Sequence, residues 1–388
     1  MFYRHAIWAS LLLPAVISSG SAQENAAQPV ERSAEQGTAA EEFSRVLGEF
    51  KGLLAEMGIL KTEYREADAQ RQAEINEIWR QLIEKGNVLE PQMISAAEKA
   101  YAEAPNKDKK VSGLLVDILV GDVEPRGLRP QTDNYERALR IGKLLVGNDC
   151  KASQVQSAAG IAAFAMGDFD AAEIFLREAK QQDTLSPLGG SYLEVVPQYK
   201  EIWAKEKETR AAEEKADDLP EVLLKTNKGD VKLLLLENEA PNSVANFISL
   251  VEKGYYDGLT FHRVLPGFMA QGGCPDGTGA GGPGYIIPCE CYRPDYRRHF
   301  RGSLSMAHAG RDTGGSQFFL TFLPTSHLNG RHTVFGRVID GFDVLWKLQR
   351  RDPAAPNAPN PDRIIEAKVL RKRDHPYVPK KTGDEFNE

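Results

Sequence analysis

The spacing of apolar residues changes once along this chain, at Pro220, and that change limits the folds open to it. Between residues 41 and 210 apolar side chains recur every three or four positions, which predicts amphipathic helices. After Pro220 they alternate with polar residues on both sides of the turn 227–230, which predicts a β-hairpin. Because 388 residues suffice for two or three domains, we expect an all-helical domain followed by a domain built on a sheet.

The helical region, residues 41–204, contains a short internal repeat. Residues 134–138 and 168–172 each have Asn or Asp, an aromatic residue and an acidic residue in succession, and they start 34 residues apart. This is the period of tetratricopeptide helix pairs, which the stretch weakly resembles. An irregular helical domain fits the pattern equally well. With either fold, we expect the region to contact a protein partner or to act as a spacer.

Two polar segments flank the helical region. Residues 23–40, rich in Ala, Gln, Glu and Ser and without an apolar period, predict a disordered lead-in. Residues 205–218 have ten charged positions in fourteen and no apolar stripe. They predict a charged linker, a solvated helical extension that ends at Leu219-Pro220.

The first 22 residues have the features of a secretory signal. Arg4 precedes an apolar run over 6–17, and the small residues of 20–22 precede the expected cleavage point before Gln23. A run of this length is too short to span a bilayer as a helix. We therefore expect an exported protein, periplasmic or secreted, without a stable membrane anchor. An apolar N-terminal core helix is the alternative.

Composition and charge exclude several classes of protein. With 41% hydrophobic and 27% charged residues the chain is neither disordered nor a membrane bundle. A net charge of −7 disfavours a nucleic-acid partner, so the basic residues of 293–301 are expected to form a solvated face. Residues 277–282 formally match G-x-G-x-x-G, but Pro283 and Pro288 follow, so no helix can begin there and a dinucleotide site is excluded. We expect a mobile loop at the edge of a groove.

The four cysteines are even in number, which favours pairing in an oxidising compartment. We expect one disulfide, between Cys274 and either Cys289 or Cys291, and the sequence leaves open both this choice and any pairing of Cys150. A zinc site built from Cys274, Cys289, Cys291 and His299 is a weaker alternative, because Cys-x-Cys is not the usual zinc spacing.

Four separated motifs in the C-terminal part resemble one known family. They are T260-FHRVLPGFMAQGG-273, S305-MAHAG-310, G315-SQFFL-320 and L328-NGRHTVFG-336. In this order and spacing they resemble the cyclophilin family of peptidyl-prolyl cis-trans isomerases, in a domain spanning 219–373 before a tail at 374–388. The resemblance implies a closed eight-stranded antiparallel β-barrel with two capping helices, placed at 241–253 and 342–349.

The chemistry of this reaction fits the residues present. Rotating an X–Pro bond means breaking amide conjugation, against a barrier of about 18–20 kcal/mol, without making or breaking another bond. We therefore expect no cofactor and no metal. An apolar slot for the proline ring and a donor that favours the twisted amide would suffice. Arg263 is a permanently charged, forked donor that stands near Phe268 and Met269 in the sequence.

The resemblance implies that Arg263 is the catalytic residue. It implies that the following residues bind the substrate: His262, Phe268, Met269, Gln271, Ala307, His308, Gln317, Phe319, His327, Leu328 and His332. Ala307 and His308 are expected to act largely through their backbone. His308 stands where the pattern usually has Asn. His327 stands where many members have Trp, which should weaken cyclosporin binding.

The sequence thus predicts an isomerase acting on proline-containing segments of exported proteins and assisting their folding. Two alternatives remain open. The domain could be a proline-peptide binding module with little turnover, or the helical region could be the main agent, as a holdase chaperone or scaffold.

Overall fold

The computed structural model describes residues 38–126 and 130–383. The predicted signal segment, most of the predicted lead-in and the last five residues of the tail lie outside these ranges. The first helix begins at Ala39, inside the segment expected to be disordered. Thr38 and Glu41 form a capping box, in which the Thr38 hydroxyl accepts from the Glu41 N–H and the Glu41 carboxylate accepts from the Thr38 N–H.

The described residues before Pro220 form helices joined by short loops, as predicted. Its helices in the described residues are α1 (Ala39–Glu66), α2 (Ala69–Glu103), α3 (Lys109–Val123), α4 (Tyr135–Gly147), α5 (Gln154–Ala165), α6 (Phe169–Gln181) and α7 (Pro187–Ala216). The longest of these helices, α2, continues through Pro91 without a break.

The internal repeat corresponds to two equivalent helix starts. Asn134 and Asp168 are the N-cap residues of α4 and α6, and each side chain accepts a hydrogen bond from the backbone N–H three residues later. α5 lies between α4 and α6 in sequence and packs closely on α6. The closeness is seen at Gly160 of α5, where an added Cβ atom would lie only 2.5 Å from the Leu176 side chain of α6. The resemblance to tetratricopeptide helix pairs stays a prediction.

The C-terminal domain is built on one antiparallel sheet. Its strands are β1 (Glu221–Thr226), β2 (Gly229–Leu235), β3 (Arg263–Leu265), β4 (Met269–Gly272), β5 (Ser303–Met306), β6 (Phe318–Thr321), β7 (Val334–Asp340) and β8 (Ile364–Arg371). The spatial order is β3-β4-β6-β5-β7-β2-β1-β8. The predicted hairpin is β1–β2, with Thr226 opposite Gly229.

The expected closure of the barrel is wrong, because the sheet is open and curled. The edge strands β3 and β8 form no ladder in the described structure. Nearby, the Phe261 N–H donates to the Asp362 carbonyl at 2.8 Å. Strand β3 has only three residues, and its central residue Val264 exchanges both backbone hydrogen bonds with Arg351, at 2.8 and 2.9 Å. Arg351 therefore occupies the edge of β3 with which β8 would have had to pair to close the barrel.

Two helices pack on the sheet, close to their predicted positions. They are α8 (Pro241–Glu252) and α9 (Phe342–Lys347). Phe247 of α8 reaches the core, where its ring centroid lies 5.6 Å from Phe318 and 5.4 Å from Phe335. Gly341 precedes α9 with φ +85°, and a Cβ atom there would lie 2.1 Å from the Asp230 carbonyl, so only glycine fits this position.

The predicted linker is helical but only partly solvated. α7 continues without a break to Ala216, and Glu206 and Glu213 on it are buried. Both glutamates pair with Arg297 of the C-terminal domain, and Glu213 also pairs with Arg337. Burial opposes ionisation, but hydrogen bonds from Arg297 hold the pKa of Glu206 below its usual value. The expectation of a solvated face at 293–301 is therefore wrong for Arg297, whose counter-ions lie on α7.

Aromatic side chains extend this contact between the two halves. The ring centroids of Trp203 and Phe300 are 4.8 Å apart, and those of Tyr199 and Phe300 are 5.8 Å apart. The Tyr199 hydroxyl donates to the His299 carbonyl at 3.3 Å. We call this contact, together with the Glu206, Glu213, Arg297 and Arg337 ion pairs, the α7 seam.

The part of the tail that the structure describes folds back onto the C-terminal domain. The Lys380 N–H donates to the Asn242 side chain at 2.7 Å, and the Thr382 N–H donates to the Ile286 carbonyl at 2.8 Å.

Within the described ranges, the helices are too short or too polar to cross a membrane.

All four cysteines are free thiols, so the expected disulfide is not formed. The Cys274 sulfur accepts a hydrogen bond from the Gly279 N–H, whereas the Cys289 sulfur accepts one from the Asp312 N–H, each at 3.2 Å. The two sulfurs are thus hydrogen-bonded to different loops.

Candidate active site

Arg263, Gln271 and Phe319 lie side by side across three strands. Arg263 on β3 is directly opposite Gln271 on β4, and Gln271 is directly opposite Phe319 on β6. Directly opposite residues of antiparallel strands project from the same face of a sheet. The β3–β4 hairpin therefore brings the predicted catalytic residue and two predicted binding residues to one surface, which we call the Arg263 face.

The Arg263 side chain is half-buried and its charge is not neutralised. Its guanidinium carbon lies 5.9 Å from the centre of the Phe268 ring. Among residues 38–126 and 130–383, no carboxylate forms an ion pair with it. A forked cation beside an aromatic ring, without an internal partner, keeps its donors for a ligand.

Aromatic rings from separate segments lie near one another on this side of the domain. The Phe268 and His327 ring centroids are 5.5 Å apart, and those of Phe319 and His332 are also 5.5 Å apart. His308 stacks on His332 at 4.1 Å. Leu328 joins the group through the chain, because its carbonyl accepts from the His332 N–H at 3.2 Å. Rings and aliphatic groups of this kind can enclose a proline ring.

Two histidines of this group, His327 and His332, are held in the neutral form. Burial lowers the pKa of His332, and the neighbouring His308 lowers it further. The His332 Nδ1 lies 3.0 Å from the Met306 carbonyl, so Nδ1 carries the hydrogen and donates it. Partial burial and the charge of Arg331 lower the pKa of His327. Both rings thus act at neutral pH as uncharged walls on the side of the domain that carries the Arg263 guanidinium.

Two glutamines connect the Arg263 face to the glycine-rich loop. The Gln271 side chain donates to the Gln317 Oε1 at 3.0 Å, and the Gln317 Nε2 donates to the carbonyls of Gly279 and Gly281 at 2.8 and 2.9 Å. No helix begins in the loop, as predicted. Gln317 binds the loop on the side that faces Gln271, and the expected mobility of the loop stays a prediction.

Some predicted site residues are less accessible than the resemblance implies. The Ala307 N–H donates to the Gln317 carbonyl at 3.0 Å, so it is not free to bind a substrate backbone. Met269 and His262 are each 1% exposed. Both ring nitrogens of His262 lack a partner in the described part of the chain, and a Cβ atom added at Gly279 would lie 3.4 Å from its Nε2. Both side chains are therefore closed to solvent, although Met269 lies two residues before Gln271 on β4 and so projects from the same face of the sheet.

His299 packs against Phe319 of the site, a contact that no sequence pattern predicted. Its ring lies parallel to Phe319 at 5.9 Å, and its Nδ1 and Nε2 are 3.1 and 3.0 Å from Asn329 Oδ1 and Ser305 Oγ. Burial lowers the pKa of His299 to about 3, so the ring is neutral. The zinc alternative that included His299 finds no support, since no group of three or more candidate ligands converges within the described ranges.

Residues of the helical region also reach the site. The Gly267 N–H, in the turn between β3 and β4, donates to Asp133 Oδ1 at 2.8 Å. The sequence offers no signal that relates these positions, because they are 134 residues apart and belong to different predicted domains.

Residues 221–369 match the family described as cyclophilin type peptidyl-prolyl cis-trans isomerase/CLD. The chain is 52% identical over 152 residues to a peptidyl-prolyl cis-trans isomerase of Synechococcus elongatus, a match that covers 39% of this chain and 97% of that protein. It is 56% identical over 132 residues to one of Helicobacter pylori, covering 33% of this chain and 80% of the relative. Peptidyl-prolyl cis-trans isomerase B of Bacillus subtilis is 55% identical over 122 residues, covering 31% and 85% of the two chains.

Among solved structures, a cyclophilin type peptidyl-prolyl cis-trans isomerase of Cryptosporidium parvum is similar, with 34% identity and a TM-score of 0.37. The match covers 40% of this chain and 99% of the solved chain. The sequence relatives are matched over nearly their whole length, and the matched segment carries the Arg263 face. The chain therefore belongs to the cyclophilin-type peptidyl-prolyl cis-trans isomerases, through its C-terminal domain.

Proposed function

We propose that the C-terminal domain catalyses rotation about X–Pro bonds in other exported polypeptides, and so assists their folding. Uncatalysed, this rotation takes tens to hundreds of seconds and is slow enough to limit folding. The observation that carries the proposal is the guanidinium of Arg263 beside the Phe268 ring, without a carboxylate partner among the residues that the structure describes, within a domain of this family.

Arg263 is the catalytic residue in this proposal. In the twisted amide the nitrogen lone pair is localised, so a donor that reaches it stabilises the transition state more than the planar ground state. The guanidinium suits this task because it is always charged and has no internal counter-ion in the described structure. No bond to another atom changes, so the site needs only to bind and to donate.

The aromatic group beside Arg263 forms the proline slot. Phe268, Phe319, Leu328 and His332 supply apolar surface, and the exposed His327 borders it next to Phe268. Met269 projects from the same face of β4 as Gln271 and is buried, so it forms the floor of the slot. Because His327 and His332 are neutral at physiological pH, the slot favours an uncharged proline ring.

The export of this protein is supported by residues 1–22, which have the charged start, the apolar run and the small residues of a secretory signal. Proteins that fold after export begin with unfolded chains, in which ~10–30% of X–Pro bonds are cis. An isomerase in the same compartment would shorten that slow phase.

The test compares the full chain with its Arg263→Ala variant in an X–Pro peptide isomerisation assay. We expect kcat/KM to fall at least about tenfold, a loss of about 1.4 kcal/mol of transition-state stabilisation. Lys368→Ala is the matched control, because it also removes one positive charge, from an exposed position on β8 in the same domain. The control should retain the wild-type rate.

Each result has a definite meaning. If the wild-type chain binds the peptide without accelerating isomerisation, the domain is a proline-peptide binding module and the proposal is wrong. If Arg263→Ala and Lys368→Ala are equally active, the enzyme remains but Arg263 loses its role.

A further inference from the structure

The turn between β3 and β4 is covered by a loop of the helical region. Gly267 in this turn has φ +66°, and a Cβ atom added there would lie 2.9 Å from the Gln131 side-chain nitrogen. Gln131 belongs to the segment 130–134, which precedes α4. The same turn links Arg263 on β3 to Phe268 and β4, so the helical region touches the part of the isomerase domain on which its chemistry depends.

Asp133 makes the central contact. Its side chain is buried, and its Oδ1 accepts from the Gly267 N–H at 2.8 Å and from the Gln131 amide and the Tyr135 hydroxyl at 2.9 Å each. Its Oδ2 accepts from Arg350 at 2.7 Å. A buried carboxylate with this many donors has one geometry, so the position of Gly267 relative to the helical region is fixed.

Arg350 extends the same contact to the other side of β3. Its guanidinium also donates to the Thr132 carbonyl at 2.8 Å. The next residue, Arg351, exchanges two backbone hydrogen bonds with Val264, the central residue of β3. The segment 130–134 is therefore connected to β3, the strand of Arg263, at two places. It binds Gly267 in the turn that follows β3, and it binds Arg350, whose neighbour Arg351 pairs with the edge of β3.

We propose that Asp133 is a positioning residue for the isomerase site, supplied by the helical region. The inference rests on the proposed function, because it assigns Asp133 a part in the same reaction. Phe268 directly follows Gly267, and its ring contacts both the Arg263 guanidinium and the His327 ring. A shift of the turn therefore moves one wall of the proline slot relative to the catalytic donor. Displacements near 1 Å at a reacting centre can reduce a rate by about 100-fold.

The experiment uses the full chain and measures kcat and KM for an X–Pro peptide together with the midpoint of thermal unfolding. Asp133→Ala removes every contact of the carboxylate. Asp133→Asn keeps an oxygen for the Gly267 N–H but presents an amide to Arg350. Glu136→Gln is the matched control, because Glu136 pairs with Arg301 across the same boundary at 3.2 Å without touching the turn.

We expect kcat/KM to fall about tenfold in Asp133→Ala and about threefold in Asp133→Asn, and to stay unchanged in Glu136→Gln. The loss should persist at temperatures well below the unfolding midpoint, where every variant is folded. Partial rescue by Asn distinguishes positioning of the turn from a general loss of stability, which would follow the unfolding midpoint instead.

Three outcomes decide the matter. Equal kcat/KM for folded Asp133→Ala and Glu136→Gln overturns the role of Asp133 while leaving the enzyme intact. If Asp133→Ala does not fold, the isosteric Asn variant decides by the same comparison, its threefold loss supporting the role and wild-type activity contradicting it. A wild-type chain without activity overturns the proposed function, and the positioning role with it.

Discussion

At the scale of single residues, burial separates His299 from the other histidines near the Arg263 face. Its ring is enclosed between Phe319 and Ser305, and burial lowers its pKa to about 3. In the unfolded chain a histidine has a pKa of about 6.5. Between these two values the unfolded state binds a proton that the folded state excludes. The stability contributed by neutral His299 is therefore present above about pH 6.5 and is lost as the pH falls towards 3.

This predicts a measurable pH dependence. At most about 1.4 kcal/mol of the free energy of unfolding is lost per pH unit below pH 6.5 through this one residue. We expect the wild-type chain to lose about 2–3 kcal/mol more than His299→Gln between pH 7 and pH 4.5, measured by urea unfolding. The glutamine variant is the reference because it is polar but does not titrate. Parallel pH profiles would show that His299 is protonated in the folded protein.

Residue types near the site were predictable, but their environments were not. The order and spacing of Arg263, Phe268, Phe319 and His332 placed them correctly on one side of the domain. The burial of His262 was not predictable in the same way, because it depends on the folded glycine-rich loop. Sequence spacing specifies which residues a motif contains, whereas packing decides which atoms remain accessible.

At the scale of secondary-structure elements, α7 differs most from its prediction, because its C-terminal part was predicted to be a solvated linker. Glu206 and Glu213 are seven residues apart and therefore lie on one face of the helix, two turns from each other. Their partners, Arg297 and Arg337, stand about 90 and 120 residues further along the chain. A charged helical segment without an apolar stripe is usually solvated. In α7 the buried residues of this segment are acidic instead of apolar. They can be buried because they form ion pairs with Arg297 and Arg337.

Removing one acid from this stripe should be costly. Glu213→Ala leaves the buried Arg297 and the partly buried Arg337 with one carboxylate fewer, and breaking a buried pair in this way costs roughly 3–5 kcal/mol of the free energy of unfolding. Glu214→Ala is the control, because Glu214 is exposed on the same helix turn and should change stability by less than about 0.5 kcal/mol. Chemical denaturation of the two variants checks this. A similar small effect in both would mean that water replaces Glu213 at the two arginines.

The predicted elements agree better with the structure than the predicted connections between them. The β1–β2 hairpin and helices α8 and α9 were correct within a few residues, because period and turn residues are local signals. The closed barrel was wrong because Val264 pairs with Arg351, a contact that no local pattern reveals. The continuity of α2 across Pro91 is likewise not a local signal, since proline usually ends or kinks a helix.

At the scale of the whole molecule, the N-terminal segment makes a prediction that is independent of catalysis. If residues 1–22 direct export, the mature protein begins at Gln23, and N-terminal sequencing or intact mass of the exported protein should find it there. Leu12→Arg places a charge in the apolar run and should leave the precursor uncleaved. Gln28→Arg, beyond the cleavage point, adds the same charge and should be processed normally. Export and processing of both variants would contradict the assignment.

The α7 seam also bears on how such a protein can change in evolution. α7 begins among the helices of one half and ends against arginines of the other, so the two halves share one element. A recombination event that transplanted the isomerase half alone would carry Arg297 and Arg337 into a new context without their carboxylates. Without matching acids in the recipient, these buried cations would lose their hydrogen-bond acceptors. Within this chain, a change at Glu206 or Glu213 therefore constrains which changes the two arginines can tolerate.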